Sequence, residues 1–117
     1  MKEQKDLVTA VVAEGATVIG EEAFDGCSSL MEVKLPGTVE VIGKRAFEFC
    51  SSLRGELTLP DSLKRIERNA FNGCSKLESI HFPAASSLLE FVHEKAFKGC
   101  KPSAIPSDII EKWNLVF

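Results

Sequence analysis

The sequence has no excess of positive charge. Its 14 lysines and arginines stand against 17 aspartates and glutamates, a net charge of −3 over 117 residues. Without a basic stripe to neutralise phosphates, a nucleic-acid partner is not expected. Long apolar runs are missing too. The longest are four or five residues, far short of the roughly 20 that a membrane-spanning helix needs, so membrane insertion is not expected. The first residues, Met1-Lys2-Glu3-Gln4-Lys5-Asp6, lack the apolar centre of a secretory signal. On that ground alone the chain reads as cytoplasmic.

The motifs of catalysis are also absent. No G-x-x-x-x-G-K or G-x-G-x-x-G phosphate loop occurs, and no nucleophile motif. The two histidines, His81 and His93, have no serine and acid in an arrangement that marks a triad. No two cysteines lie closer than 23 residues, whereas zinc sites normally carry close pairs. The expectation is a non-enzyme without cofactor. What remains, 44% hydrophobic and 26% charged residues, is the balance of an ordinary folded domain.

The chain repeats itself. Ala-Phe occurs at 23/24, 46/47, 70/71 and 96/97, and a cysteine follows each phenylalanine by three, at Cys27, Cys50, Cys74 and Cys100. The cysteines are 23, 24 and 26 residues apart, a period that belongs to solenoids. An aliphatic residue precedes each alanine by four: Ile19, Ile42, Ile66 and Val92. Leu30, Leu53 and Leu77 follow the first three cysteines by three, and alternating runs then lead into Pro36, Pro60 and Pro83. Leu7, Ala10 and Val12 start the frame 23 residues earlier. One extra residue beside Gly55 reads as a bulge. Three extra residues within Ala84 to Phe91 read as a surface loop.

This pattern resembles the BspA-type leucine-rich repeat, through Leu30-x-x-Val33-x-Leu35-Pro36, Val39-x-x-Ile42 and Ala46-Phe47-x-x-Cys50, recurring in register from about Leu7 to Cys100. The resemblance implies a right-handed leucine-rich-repeat solenoid with short parallel β-strands on one face. It also implies a non-catalytic role in binding proteins or surfaces, and a cell-surface or secreted setting in place of the cytoplasmic one.

Each position in the repeat has a physical reading. Val33 and Leu35 alternate with Lys34, a strand with one buried face. Proline ends it by removing an amide donor. Gly43 to Phe47 reads as a short helical turn pointing Phe47 and Cys50 inward. Phe24, Phe47, Phe71 and Phe97, with Cys27, Cys50, Cys74 and Cys100, then form an internal column. Glycine precedes the cysteine at Gly26, Gly73 and Gly99, as a left-handed turn requires. Phe49 departs from that rule and is expected at the surface. Residues 1–6 read as a flexible terminus. Residues 7–106 read as four strand-bearing repeats plus a degenerate fifth. Residues 107–117 read as a helical cap, with Ser107 as N-cap and Ile109, Ile110 and Trp113 as its apolar face.

The cysteines have a second reading, a small metal or redox protein, against the reading of buried hydrophobes in one column. The outward strand positions are the candidate binding surface for a protein or peptide. One column reads Val11, Lys34, Thr58, His81 and its neighbour Thr9, Glu32, Glu56, Ser79. Of these, Glu32, Lys34, Glu56, Thr58, Ser79 and His81 are the candidate partner-binding residues. A solvated face with no partner is the plainer alternative, and a fragment of a surface adhesin is a further one. Val8, Val11, Val116 and Phe117 add apolar surface near the ends, from which weak self-association is expected.

Overall fold

One period of the sequence makes one turn of a coil. In the computed structural model, which describes residues 6–83 and 89–117, each turn lays down a strand, a second shorter strand and a closing turn. The strands are β1 (Thr9–Val11), β2 (Val18–Ile19), β3 (Glu32–Lys34), β4 (Val41–Ile42), β5 (Arg54–Thr58), β6 (Arg65–Ile66), β7 (Lys76–His81) and β8 (Phe91–Val92). All pairings are parallel: β1 with β3, β5 with β7, and β2, β4, β6 and β8 as one four-stranded sheet. The register stacks like on like. Ala10 lies beside Val33, Leu57 beside Ile80, and Ile19, Ile42, Ile66 and Val92 form a row. A single turn of the coil cannot bury its own inner face, so the core exists only between turns.

The third side of the coil contains no strand, yet it is bonded from turn to turn as closely as the sheets. The amides of Phe24, Phe47 and Phe71 donate to the carbonyls of Ala46, Ala70 and Ala96 at 2.7–2.8 Å. The amides of Gly26, Phe49 and Gly73 donate to the carbonyls of Glu48, Asn72 and Lys98 at 2.7–2.8 Å. Between these cross-links the chain folds back through i→i+3 bonds, such as Ala46 to Gly43 and Cys50 to Phe47. The helical turn therefore never propagates. Left-handed residues interrupt it, at Arg45 (φ 59°) and again at Phe49 (φ 60°). Such a backbone is uncommon outside glycine, and the cross-link that each turn gains offsets its strain.

Inside, the phenylalanines stack. Ring centroids of Phe24, Phe47, Phe71 and Phe97 follow one another at 5.1, 5.2 and 5.3 Å with planes within 6° of parallel. Phe47, Phe71 and Phe97 are fully buried, whereas Phe24, at the first turn, is half-buried. Alanine precedes each because Ala46, Ala70 and Ala96 have no exposed surface at all. The cysteines complete the column. The thiols of Cys50, Cys74 and Cys100 each donate to the carbonyl of Phe24, Phe47 and Phe71 respectively, at 3.2 Å.

Phe49 explains itself through its neighbour. Its side chain is 55% exposed and its ring lies over Gly73, where a β-carbon would sit 2.8 Å from Phe49 Cδ1. The bulge falls where the extra residue does: the β5–β7 register shifts between Gly55 and Glu56, and Gly55 takes φ 75°. At the C-terminal end a 3₁₀ turn, Pro102–Ala104, and a helix α1, Ser107–Trp113, lie over the last turn. Ile109 is buried, Ile110 and Trp113 are partly so, and Val116 ties back to the Glu94 carbonyl at 2.9 Å. Ser107 is not the N-cap. That position belongs to Pro106, whose carbonyl accepts from Ile109 and Ile110, and no side chain caps the helix. Most of the expected N-terminal tail (residues 1–5) and of the expected insertion loop (84–88) lies outside the described residues.

The stack makes a quantitative demand. Phe71→Ala would open a void between two fully buried rings and is expected to cost about 3–5 kcal/mol. A denaturant titration measures this. An unchanged midpoint would contradict the stack.

Candidate partner-binding face

The outward side chains of the strands carry no burden of packing. Thr9, Val11, Glu32, Lys34, Glu56, Thr58 and His81 are exposed, and Ser79 is half-buried, while the residues between them point into the core. Register pairs Thr9 with Glu32, Val11 with Lys34, Glu56 with Ser79 and Thr58 with His81. Adjacent turns thus present their outward residues side by side.

The face is not one sheet, however. A single backbone bond, Arg54 N–H to the Met31 carbonyl at 3.2 Å, links the two halves, and no ladder joins β3 to β5. The bulge is the cause: the extra residue and left-handed Gly55 put β5 out of step with β3. A depression of about 380 Å³ opens along this seam, and Glu32, Lys34, Gly37, Glu56 and Thr58 line it. The structure therefore gathers four of the six candidate residues around one depression. Ser79 and His81 stand beyond it on β7. His81 Nε2 meets Glu56 Oε1 at 3.0 Å, with both side chains well exposed. A contact so open to water contributes little to stability.

Sequence reasoning missed two features. One is a second groove, between β7 and the C-terminal cap, whose only signal was the short spacing from Cys100 to Pro106. The other is a polar network on the turn side. Glu48 is 7% exposed and accepts from Asn72 Nδ2 at 2.8 Å, with Arg45 Nε at 3.6 Å. Arg45 also reaches Glu22 at 3.3 Å. Burial, with Glu48 and Glu22 beside it, raises the Asp25 carboxyl above its usual range. No single position announces this network, because it forms from the same repeat positions on successive turns.

Among the described residues no group of three or more metal-ligating side chains converges, and no helix is long and apolar enough to cross a membrane.

This geometry defines a class: a parallel β-solenoid built on leucine-rich repeats. The chain belongs to the BspA-type leucine-rich repeat family, whose repeat region matches residues 2–111 in six copies. Among solved structures it is similar to a leucine-rich repeat protein from Bacteroides ovatus, with 39% identity and a TM-score of 0.71 over 80% of this chain. The chain spans 23% of the length of that protein. No curated protein matches. Repeats of this class serve in general as protein-interaction scaffolds and are typically non-catalytic.

The four cysteines lie inside the column, unpaired and buried. Burial pushes the thiols of Cys50 and Cys100 up from an ordinary 9.0 to about 12, and raises Cys74 well above it and Cys27 as well. Thiolate is the form that ligates metals and attacks disulfides, so this environment works against both. A consequence for stability follows. Below pH 9 the thiols are protonated in the folded and unfolded chains alike, and stability is complete. As pH rises from about 9 toward about 12, only the unfolded chain releases these protons, so stability falls, at about 1.4 kcal/mol per pH unit for each such cysteine. Denaturant midpoints of the native chain and of Cys50→Ala at pH 8 and pH 10.5 measure this. The variant is expected to lose less on the alkaline side. An equal loss would contradict the assignment.

Proposed function

We propose that the chain is a non-catalytic module that binds a protein or peptide through its outward strand columns. Glu32, Lys34, Glu56, Thr58, Ser79 and His81 are the contact residues. The observation that carries this reading is the seam between β3 and β5, where acidic, basic and hydroxyl side chains surround a depression on the outward face. The β3–β5 backbone itself shares one hydrogen bond, but the other two sides of the coil are bonded from turn to turn, so little ordering accompanies binding. The mixed charges favour a partner segment that carries both signs. The face is small, so a single copy binds modestly and gains through multivalency.

The test is a charge exchange on one strand. Glu32→Lys with Lys34→Glu preserves the net charge and alters only exposed side chains. A partner captured by the native chain is expected to bind the exchanged variant at least tenfold more weakly, measured by calorimetry, with the denaturant midpoint unchanged. Equal affinity in a folded variant would remove the strand face as the site.

A further inference from the structure

The depression at the β3–β5 seam has a continuation. A second one, of about 400 Å³, opens toward the start of the two strands, and Val8, Met31, Glu32, Arg54 and Glu56 are among the residues that line it. Glu32 and Glu56 line both depressions. The two therefore meet at this pair of carboxylates and make one furrow. It follows β5 from Arg54, at the start of the strand, past Glu56 to Thr58 at its end.

Charge along the furrow has an order. Outward positions recur at every second residue of a strand, so Glu32 is followed by Lys34 on β3, and Arg54 by Glu56 and Thr58 on β5. A cation thus stands at each end, Arg54 at one and Lys34 at the other, with two carboxylates between them. All four side chains are exposed, so a partner reaches them without displacing any part of the fold. Val8 and Met31, 48% and 37% exposed, add apolar surface at the Arg54 end.

Elsewhere on the coil, charges of opposite sign answer one another from turn to turn. Lys64 meets Glu40 at 3.9 Å beside the four-stranded sheet, and Arg45 meets Glu22 at 3.3 Å on the turn side. In the furrow only Glu56 has such a contact, with His81 at 3.0 Å, and its second carboxylate oxygen is left to accept elsewhere. Among the described residues Glu32, Lys34 and Arg54 have no ion-pair partner.

We infer that an extended segment of a partner protein lies along this furrow and carries an acidic, a basic and an acidic side chain at alternate positions. The basic one sits between Glu32 and Glu56, one acid faces Arg54 and the other faces Lys34. Five residues suffice. From Arg54 to Thr58 the strand rises roughly 13 Å, and an extended segment repeats its own side chains at the same spacing. Exposed ion pairs are weak one by one, so the order of charge selects the partner more than it adds affinity. The chain's net charge of −3 would by itself favour a segment of net positive charge; the furrow favours the opposite. This inference rests on the strand-face reading and adds to it the order of charge and Arg54, which is not one of the six contact residues.

The experiment uses the full chain, ¹⁵N-labelled, and two end-blocked pentapeptides, Glu-Val-Lys-Val-Glu and Lys-Val-Glu-Val-Lys. Amide shifts are expected at Glu32, Lys34, Arg54 and Glu56 with the first peptide at millimolar concentration. At low salt it is expected to bind about fivefold more tightly than the second. Arg54→Glu, an exposed substitution, is expected to weaken the first peptide about threefold with the denaturant midpoint unchanged. Equal binding of the two peptides, tighter binding of the second, or an Arg54→Glu variant that binds the first as the native chain does would overturn the charge order. The strand face itself would still stand if the Glu32→Lys, Lys34→Glu variant lost its captured partner. Absence of shifts in the furrow overturns the inference as well, and the strand face falls with it if that variant also keeps its partner. Shifts at Arg54 and Glu56 that grow with protein concentration without peptide would mark a second copy of the chain as the occupant and overturn it too.

Discussion

The backbone N–H and C=O of Phe24, Phe47 and Phe71 are where the turns of this solenoid are joined. Each N–H reaches forward to the alanine carbonyl of the next turn, while each C=O accepts the cysteine amide of its own turn and the cysteine thiol of the next. A carbonyl oxygen has two lone pairs, and here both are used. The ring attached to the same residue stacks on its counterpart. Backbone, thiol and ring thus register the turns at one point. The regularity of the strand sides follows from it, since a slip of one residue would break all three contacts together.

That constraint explains which residue types recur. Cysteine is small enough for the column and still donates a hydrogen bond. Alanine leaves room for the ring of the adjoining residue. The residue before cysteine must accept left-handed backbone, for which glycine suits best. Phe49 shows the exception and its condition: it holds that backbone at φ 60° and lays its ring where Gly73 has no side chain.

Much of this is legible in the sequence because the same residue types return at the same offsets. The Ala-Phe-x-x-Cys spacing places the internal column, the alternation before each proline places β1, β3, β5 and β7, and the residue beside Gly55 places the bulge. The remainder arises from interactions between turns, which no single repeat encodes. The left-handed backbone of Glu22 and Arg45 goes with amide bonds to the Lys44 and Arg68 carbonyls of the next turn, against the propensities of both. The Arg45–Glu48–Asn72 network is likewise spread across turns. The seam between β3 and β5 is a consequence of one inserted residue, and its effect on the face, two half-sheets instead of one, appears only when the strands are stacked. Ser107 looked like a helix cap by type, but Pro106 with its extended backbone already begins the helix.

The departures from the repeat, rather than the repeat itself, shape the surface. An inserted residue opens the seam on the outward face, and a deleted stretch replaces the strand beside β7 with the 3₁₀ turn Pro102–Ala104. A regular solenoid would offer a flat ladder of side chains; this one offers a seam with a depression along it and a last turn closed by the cap. Both stand on the same rigid column, which allows surface residues to vary without disturbing the fold.

Native-state hydrogen exchange tests the central claim most directly. If the phenylalanine peptide units bind the turns into one cooperative body, the amides of Phe47, Phe49 and Phe71 exchange through a single opening whose free energy equals that of global unfolding. Exchange of these three amides through separate local openings, orders of magnitude faster than global unfolding allows, would contradict it.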